Sequence, residues 1–231
     1  MNLKDLERTE NTQSFFDAFN EFILSSDTRV FGKLIARAFL MNKVKNLPGD
    51  IVECGVFKGT GLMTFLKLKR FLCPNSLKKI IGFDFFDSEL LIQSLEAHDK
   101  ESMSILFKER NYKHEKNHVN DFNRFILSKG FQKNEFDLVA GDICETAKKY
   151  CSNKPGFRIS LLYIDLDVEK PTYEALSALW DRVVKGGIVV FDEYAFDVWS
   201  ESNGVDKFFE DKNVKIKSLN FICPSAYVVK K

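Results

Sequence analysis

Two apolar runs that each end in acid constrain this chain most. Leu161–Glu169 reads LLYIDLDVE, and Gly187–Tyr194 reads GIVVFDEY. A short apolar run of this kind is what a strand buried on both faces of a parallel sheet requires. Asp165 and Asp167 follow the first run, and Asp192 and Glu193 follow the second. They stand at the carboxyl ends of two strands, where open α/β sheets bind their ligands. Four carboxylates are costly to bring together unless positive charge sits among them. Oxygen donors without His or Cys suit a hard cation, Mg2+ or Mn2+. Helix capping, or pairing with surface lysine, is the alternative fate of the same residues. Asp192 and Glu193 are adjacent and point apart in an extended chain, so both can hold one ion only if the chain turns there.

The rest of the pattern supplies a fold around these strand ends. Asp50–Cys54, Lys79–Asp84, Phe136–Ala140, Ile159–Asp165 and Gly187–Asp192 read as five strands. Helical stretches alternate with them at Leu62–Leu72, His118–Lys129, Cys144–Tyr150, Pro171–Trp180 and Asn203–Glu210. Val214–Ser218 and Ala226–Lys230 complete the count as an edge hairpin. The fold class is α/β: a doubly wound, mostly parallel seven-stranded sheet with helices on both faces. Before it, Ser14–Leu24 and Arg29–Asn46 carry apolar residues at helical spacing and read as an N-terminal helical cap. The expected division is a cap over residues 1–46 and a sheet domain over 47–231. Residues about 87–117 break the alternation as a charged insertion carrying His98 and His114.

Composition excludes several classes. A net charge of +1 gives no electrostatic case for nucleic acid or an acidic membrane surface. The paired lysines, among them Lys78-Lys79 and Lys148-Lys149, are scattered and read as solvated surface. Five cysteines, none in a C-x-x-C pair, argue against a disulfide framework and against a zinc site, so a reducing cytoplasm is the expected setting. The N-terminus lacks the apolar core of a signal peptide, and no apolar run is long enough to span a membrane.

The turn after the first strand, VECGVFKGTG at Val52–Gly61, places Glu53 before glycines at 55, 59 and 61. Glycine at a strand-to-helix turn lets backbone approach a ligand closely. The spacing is neither G-x-G-x-x-G nor a Walker loop. Its acidic-x-Gly pattern resembles the first motif of class I S-adenosylmethionine methyltransferases. Asp84 ends the second strand, where a carboxylate can accept from ribose hydroxyls. Asp142 ends the third, where one can accept from an adenine amino group.

Taken in order, GDIVECGVFKGTG, GFDFFD, the Gly141-Asp142 pair, IDLDVEKPTYEAL and GGIVVFDEY resemble the macrocin O-methyltransferase family, over roughly residues 47–209. The resemblance implies a Rossmann-like class I methyltransferase that uses S-adenosylmethionine and a divalent metal to methylate sugar hydroxyls in natural-product or surface-glycan biosynthesis. It implies that Asp165, Asp192 and Glu193 hold the metal and that Asp167 is the general base. Glu53, Gly55 and Gly59 are then expected at the methionine end of the cofactor, Asp84 at the ribose and Asp142 at the adenine. The acceptor is expected to be a nucleotide-linked sugar or glycosylated metabolite, chosen by the insertion and by Tyr194–Ser202. Two residues depart from the family pattern: Glu193 stands for the second Asp of D-D-Y, and Glu169 stands for the Tyr of D-x-D-x-Y-x-P-T. Three rivals are a catechol-type metal-dependent methyltransferase, a nicotinamide oxidoreductase and a non-catalytic binding domain of the same fold. The Phe-rich N-terminal helices are compatible with a homo-oligomer.

Overall fold

A computed structural model describes residues 12–113 and 118–231. His114 lies outside the described residues, as does most of the polar N-terminus. The chain opens with two helices, α1 (Thr12–Leu24) and α2 (Thr28–Val44). Asp27 caps α2 by accepting from Val30 N–H at 2.8 Å. Then come β1 (Asp50–Cys54), α3 (Thr60–Leu72) and β2 (Ile80–Asp84). The insertion forms α4 (Ser88–Ser94) and α5 (Ala97–Glu109). The alternation resumes with α6 (His118–Ser128), β3 (Phe136–Ala140), α7 (Ile143–Asn153), β4 (Ile159–Ile164), α8 (Glu169–Leu179), β5 (Val183–Phe191) and α9 (Glu201–Phe209). Short β6 (Lys217–Ser218) and β7 (Ala226–Val229) close it.

The seven strands form one sheet in the order β3-β2-β1-β4-β5-β7-β6. The first five are parallel; β7 pairs antiparallel with β5, and β6 with β7. The order reverses between β1 and β4, and that switch point opens a crevice at the strands' carboxyl ends. β5 begins four residues earlier than its apolar run suggested, because Val183 pairs with Ile159 ahead of a register shift that precedes the Leu161–Ile188 pair. β6 keeps only two residues of the expected five, at the open edge.

Two apolar layers sandwich the sheet. Val52, Cys54, Leu162, Ile164 and Val189 face α7, α8 and α9. Ile51, Leu161, Tyr163, Ile188 and Val190 face α2, α3 and α6. This is the period-two alternation of a strand buried on both sides. Helix α2 belongs to the second layer through Leu40, Met41 and Val44. Its outer side, with α1, exposes Phe15, Phe16, Phe19, Phe31 and Phe39, so a good part of the chain's Phe content lies outside the core. One expectation is corrected here. Lys78 is buried rather than solvated: its ammonium donates to the carbonyls of Leu47 and of Gly49 (2.6 Å) and to Ser160 Oγ (3.0 Å), tying down the far end of the sheet.

Candidate active site at the strand ends

The backbone bends immediately after β5, at Asp192 and Glu193. That bend supplies the turn both side chains needed to serve one place. Asp192 is fully buried, and its Oδ1 accepts from the Tyr163 hydroxyl at 2.5 Å. Glu193 is 3% exposed, and its backbone N–H donates to Glu201 Oε1 at 3.0 Å. Glu201, the first residue of α9, is itself fully buried. Asp167 sits just past β4 with a left-handed backbone, φ +65°, and its carbonyl accepts from Glu201 N–H at 3.1 Å. Non-glycine residues seldom adopt that conformation, and they do so mostly where surrounding contacts hold them.

Helix α2 lays three cations across these acids. Arg29, Lys33 and Arg37 are spaced four apart, so they share one helix face. Arg29 Nη2 reaches Glu193 Oε1 at 2.5 Å. Lys33 Nζ lies 2.5 Å from Asp192 Oδ2 and 3.7 Å from Asp165 Oδ2. Arg37 Nη2 lies 3.3 Å from Glu53 Oε1 and 3.8 Å from Asp165 Oδ2. Pairing with basic residues is thus part of what the acids do, though the partners are not the surface lysines the sequence offered. A cation repeated every fourth residue within an apolar helix was the available signal for them. Glu201 and Tyr163 had no comparable signal.

Three cations do not balance six carboxyl groups: Glu53, Asp165, Asp167, Asp192, Glu193 and Glu201. Burial, and then the neighbouring Asp192, push Asp165 up to about 7 despite Lys33 and Arg37. Burial and the surrounding acids raise Asp167 and Glu201 well above the carboxylate range. Burial alone would lower the Lys33 ammonium, but Asp165 and Asp192 outweigh it and hold it above its ordinary value. Glu193 Oε2 and Glu201 Oε2 are buried without a hydrogen-bond partner, and Asp192 Oδ2 has only the charge contact with Lys33, out of hydrogen-bond alignment. Orphaned, buried carboxylate oxygens are expensive unless a cation completes them. The donor set therefore fits a divalent metal. Among the described residues, one ligand atom each of Asp192, Glu193 and Cys223 lie within 4.8 Å of one another. Two of the three expected ligands are brought together there. Asp165 is outside that group, and Cys223 is an addition the sequence did not single out.

At the turn after β1, Glu53 is buried beside Arg37, and its Oε2 has no partner. Burial, and then Asp165, push its carboxyl up to about 8 against the opposing pull of Arg37. Asp84 is nearly buried, and three backbone amides bind it: Val56 N–H and Phe57 N–H donate to Oδ2 (2.8 and 2.9 Å), and Phe86 N–H to Oδ1 (2.8 Å). It organises the turn that faces the crevice. Asp142 caps α7 through Cys144 N–H at 2.9 Å. Gly55 has φ +90°, and a Cβ there would stand 1.8 Å from the Asp165 carbonyl oxygen. Gly59 has φ +84°, and a Cβ there would stand 2.2 Å from the Phe122 ring. Both glycines are accounted for by close packing within the fold.

Beside the acids lies an open groove of about 430 Å3, lined by His98, Phe196, Asp197, Trp199 and Asn203 among others. The Arg29 guanidinium stands 5.4 Å from the centre of the Phe196 ring and so spans site and groove. The insertion frames the groove: Asp99 of α5 accepts from Ser200 Oγ at 2.8 Å, and Ser200 Oγ accepts from Glu169 N–H at 2.8 Å. Glu169, where the family pattern has Tyr, is a half-exposed charge 3.7 Å from Lys207.

A family model described as macrocin O-methyltransferase (TylF) matches residues 35–223. Among solved structures, the calicheamicin methyltransferase CalS11 superposes with a TM-score of 0.73 at 22% identity, over 96% of this chain and 87% of that one. Its apo structure, described as a TDP-rhamnose 3'-O-methyltransferase of calicheamicin biosynthesis, gives 0.69 at 26% identity, over 96% and 88%. The O-methyltransferase NovP gives 0.68 at 19% identity, over 87% and 80%. No curated protein matches the chain. Among the described residues, no helix is long and apolar enough to cross a membrane.

Proposed function

This chain belongs to the macrocin O-methyltransferase family and is an S-adenosylmethionine-dependent O-methyltransferase; from that premise we propose that it methylates a sugar hydroxyl at the ends of β4 and β5, in natural-product or surface-glycan biosynthesis. The observation that carries the site is the pair of buried, unpartnered carboxylate oxygens on Glu193 and Glu201 beside the buried Asp192. Asp165, Asp192 and Glu193 would hold a divalent metal, Mg2+ or Mn2+. Such an ion, when bound, supplies Lewis-acid polarisation that lowers the pKa of an acceptor hydroxyl.

The chain's own residues do the rest. Asp167 takes the proton from the acceptor hydroxyl; added positive charge in the site is what brings its raised carboxyl into the working range of a base. Glu53 Oε2, buried and without a partner, suits an ammonium such as that of the cofactor's methionine end. The turn carrying Gly55 and Gly59 sets its backbone against the crevice, with Asp84 at its base and Asp142 on the adenine side. Holding donor and acceptor in line lowers the barrier through orientation.

The groove supports a sugar over a planar aromatic diol: Asp197, Asn203 and His98 offer hydrogen bonds beside the faces of Phe196 and Trp199. A nucleotide-linked sugar fits this mixed lining, with Arg29 at its edge as the cation for a diphosphate. The insertion at about 87–117 would set acceptor choice. Within the expected 1–46 segment, the described helices α1 and α2 would act as a cap on the 47–231 domain, and their exposed Phe face suits a second copy, measurable by light scattering.

The test is calorimetry with S-adenosylhomocysteine, with NAD as control, in Mg2+ and after chelation. Binding that survives chelation, followed by methyl transfer to a nucleotide sugar that Asp165→Ala abolishes, is the expected result. Binding of NAD instead, or full activity of Asp165→Ala in added metal, would remove the reading.

A further inference from the structure

Cys223 lies on the segment between β6 and β7, far in sequence from every acid of the site. Backbone hydrogen bonds deliver it there. Ser225 N–H is shared between the carbonyls of Phe191 and Asp192, at 3.2 Å each, and Ser225 Oγ donates to the Tyr194 carbonyl at 2.7 Å. These contacts lace the segment to the end of β5 just where β5 gives way to Asp192 and Glu193. The thiol that results is fully buried.

Its sulfur does not simply fill core space. Cys223 Sγ and one oxygen each of Asp192 and Glu193 lie within 4.8 Å of one another. Ligands on one ion at the usual bond lengths of about 2.0–2.3 Å stand that close together. On the Asp192 and Glu193 side chains, 0% and 3% exposed, Glu193 Oε2 has no hydrogen-bond partner and Asp192 Oδ2 has the Lys33 ammonium at 2.5 Å as its charge contact. The Arg29 guanidinium touches the sulfur: its Nη2 stands 3.5 Å away while bonding Glu193.

We propose that Cys223 is a metal ligand alongside Asp192 and Glu193, and that the centre therefore takes a borderline-soft divalent ion, of the Zn2+ or Co2+ kind, in preference to Mg2+. A thiolate binds such ions far better than it binds a hard one. Binding breaks the S–H bond, forms the metal–sulfur bond and releases the proton to solvent. This rests on the reading of the strand ends as a metal centre. It departs from the all-oxygen ligand set that the acids alone suggest, and from the expectation that five cysteines without a C-x-x-C pair argue against a zinc site.

The experiment is Co2+ titration of the reduced, metal-stripped full chain, read by absorption. The expected result is a near-ultraviolet sulfur-to-cobalt charge-transfer band in the unaltered protein that is missing in Cys223→Ser. Competition titration should show Cys223→Ser weakening Zn2+ binding by more than the roughly 100-fold that loss of an outer-sphere partner can cost, with Mg2+ binding little changed. Co2+ bound without the band would overturn the proposal and leave an all-carboxylate centre standing. No binding of Co2+, Zn2+ or Mg2+ would overturn the metal reading together with it. The band is sought first in the unaltered protein, so the outcome does not depend on how well the variant folds.

Discussion

The ammonium of Lys33 lies 2.5 Å from Asp192 Oδ2 and 3.7 Å from Asp165 Oδ2, so one lysine of α2 bridges the ends of β4 and β5. A metal held by those aspartates would meet the same charge. At an effective dielectric of about 20, two unit charges 4 Å apart interact by about 4 kcal/mol, and a divalent ion feels more. Solvation and movement of the side chain recover much of that. Lys33→Met is therefore expected to tighten Mn2+ binding by about ten-fold or more, the equivalent of roughly 1.4 kcal/mol. Calorimetry would decide it, and unchanged or weaker binding by the variant would show that Lys33 does not compete with the ion.

Glu53 predicts the pH dependence of the ligand-free fold. Its carboxyl is raised from an ordinary 4.5 to about 8, by burial first and by Asp165 second, against the pull of Arg37 and Lys33. A raised carboxyl binds its proton more tightly when folded than when unfolded. The associated stability is fully present below about 4.5 and is lost as pH rises through about 8. Asp165, raised from 3.8 to about 7, acts in the same direction. Glu135 and Asp137 act oppositely: burial raises them, but hydrogen bonds from the Gln132 amide and Arg70, and from Lys154 and Tyr150, hold them low. Their contribution is therefore constant across this window. The melting temperature of the ligand-free protein should decline across it, by about 2–4 °C for each kcal/mol lost. Glu53→Gln should flatten the decline, and a melting temperature that climbs with pH would contradict this account.

Gly55 separates two reasons for a glycine. In the sequence it reads as a residue that lets a ligand approach. In the fold, a Cβ at Gly55 would stand 1.8 Å from the Asp165 carbonyl oxygen, in a backbone with φ +90°. Backbone cannot move aside as a side-chain tip can, so Gly55→Ala should destabilise by roughly 3 kcal/mol or more, adding left-handed strain to overpacking. Gly156→Ala, with open space around it, should stay within about 0.5 kcal/mol. Chemical denaturation of both, without cofactor, checks this. Equal stability of the two would show that β1 and β4 can part at this point.

The strand ends were legible because burial on both faces leaves an uninterrupted apolar run, and Asp165, Asp192 and Glu193 break it abruptly. The bend that unites Asp192 with Glu193 was legible only as a condition. Arg29, Lys33 and Arg37 are not legible locally, because an amphipathic helix with cations every fourth residue usually turns them to water; here the tertiary fold turns them onto acid. Cys223 was beyond local reading, since only the β5–β7 pairing brings it to the site. Lys78 is buried although a charge is ordinarily solvated, because three oxygens that no local pattern announces meet its ammonium.

Glu201 shows how a buried acid outside the expected ligands supports the site. Its Oε1 accepts from Glu193 N–H at 3.0 Å, while its own N–H donates to the Asp167 carbonyl at 3.1 Å. One residue at the start of α9 thus ties the segments after β4 and β5 together. Glu201→Ala removes the acceptor and strands the Glu193 amide, which costs about 1–3 kcal/mol when such a group is buried. Glu201→Gln keeps an acceptor for that amide and removes the raised, proton-holding carboxyl. The expected pattern is a lowered melting temperature and weakened metal binding for Ala. Gln should show near-normal stability and metal binding, because it preserves the positioning of Glu193. If both variants lose metal binding equally while folding normally, Glu201 contributes its charge directly to the ion; if neither does, the bend after β5 is held without it.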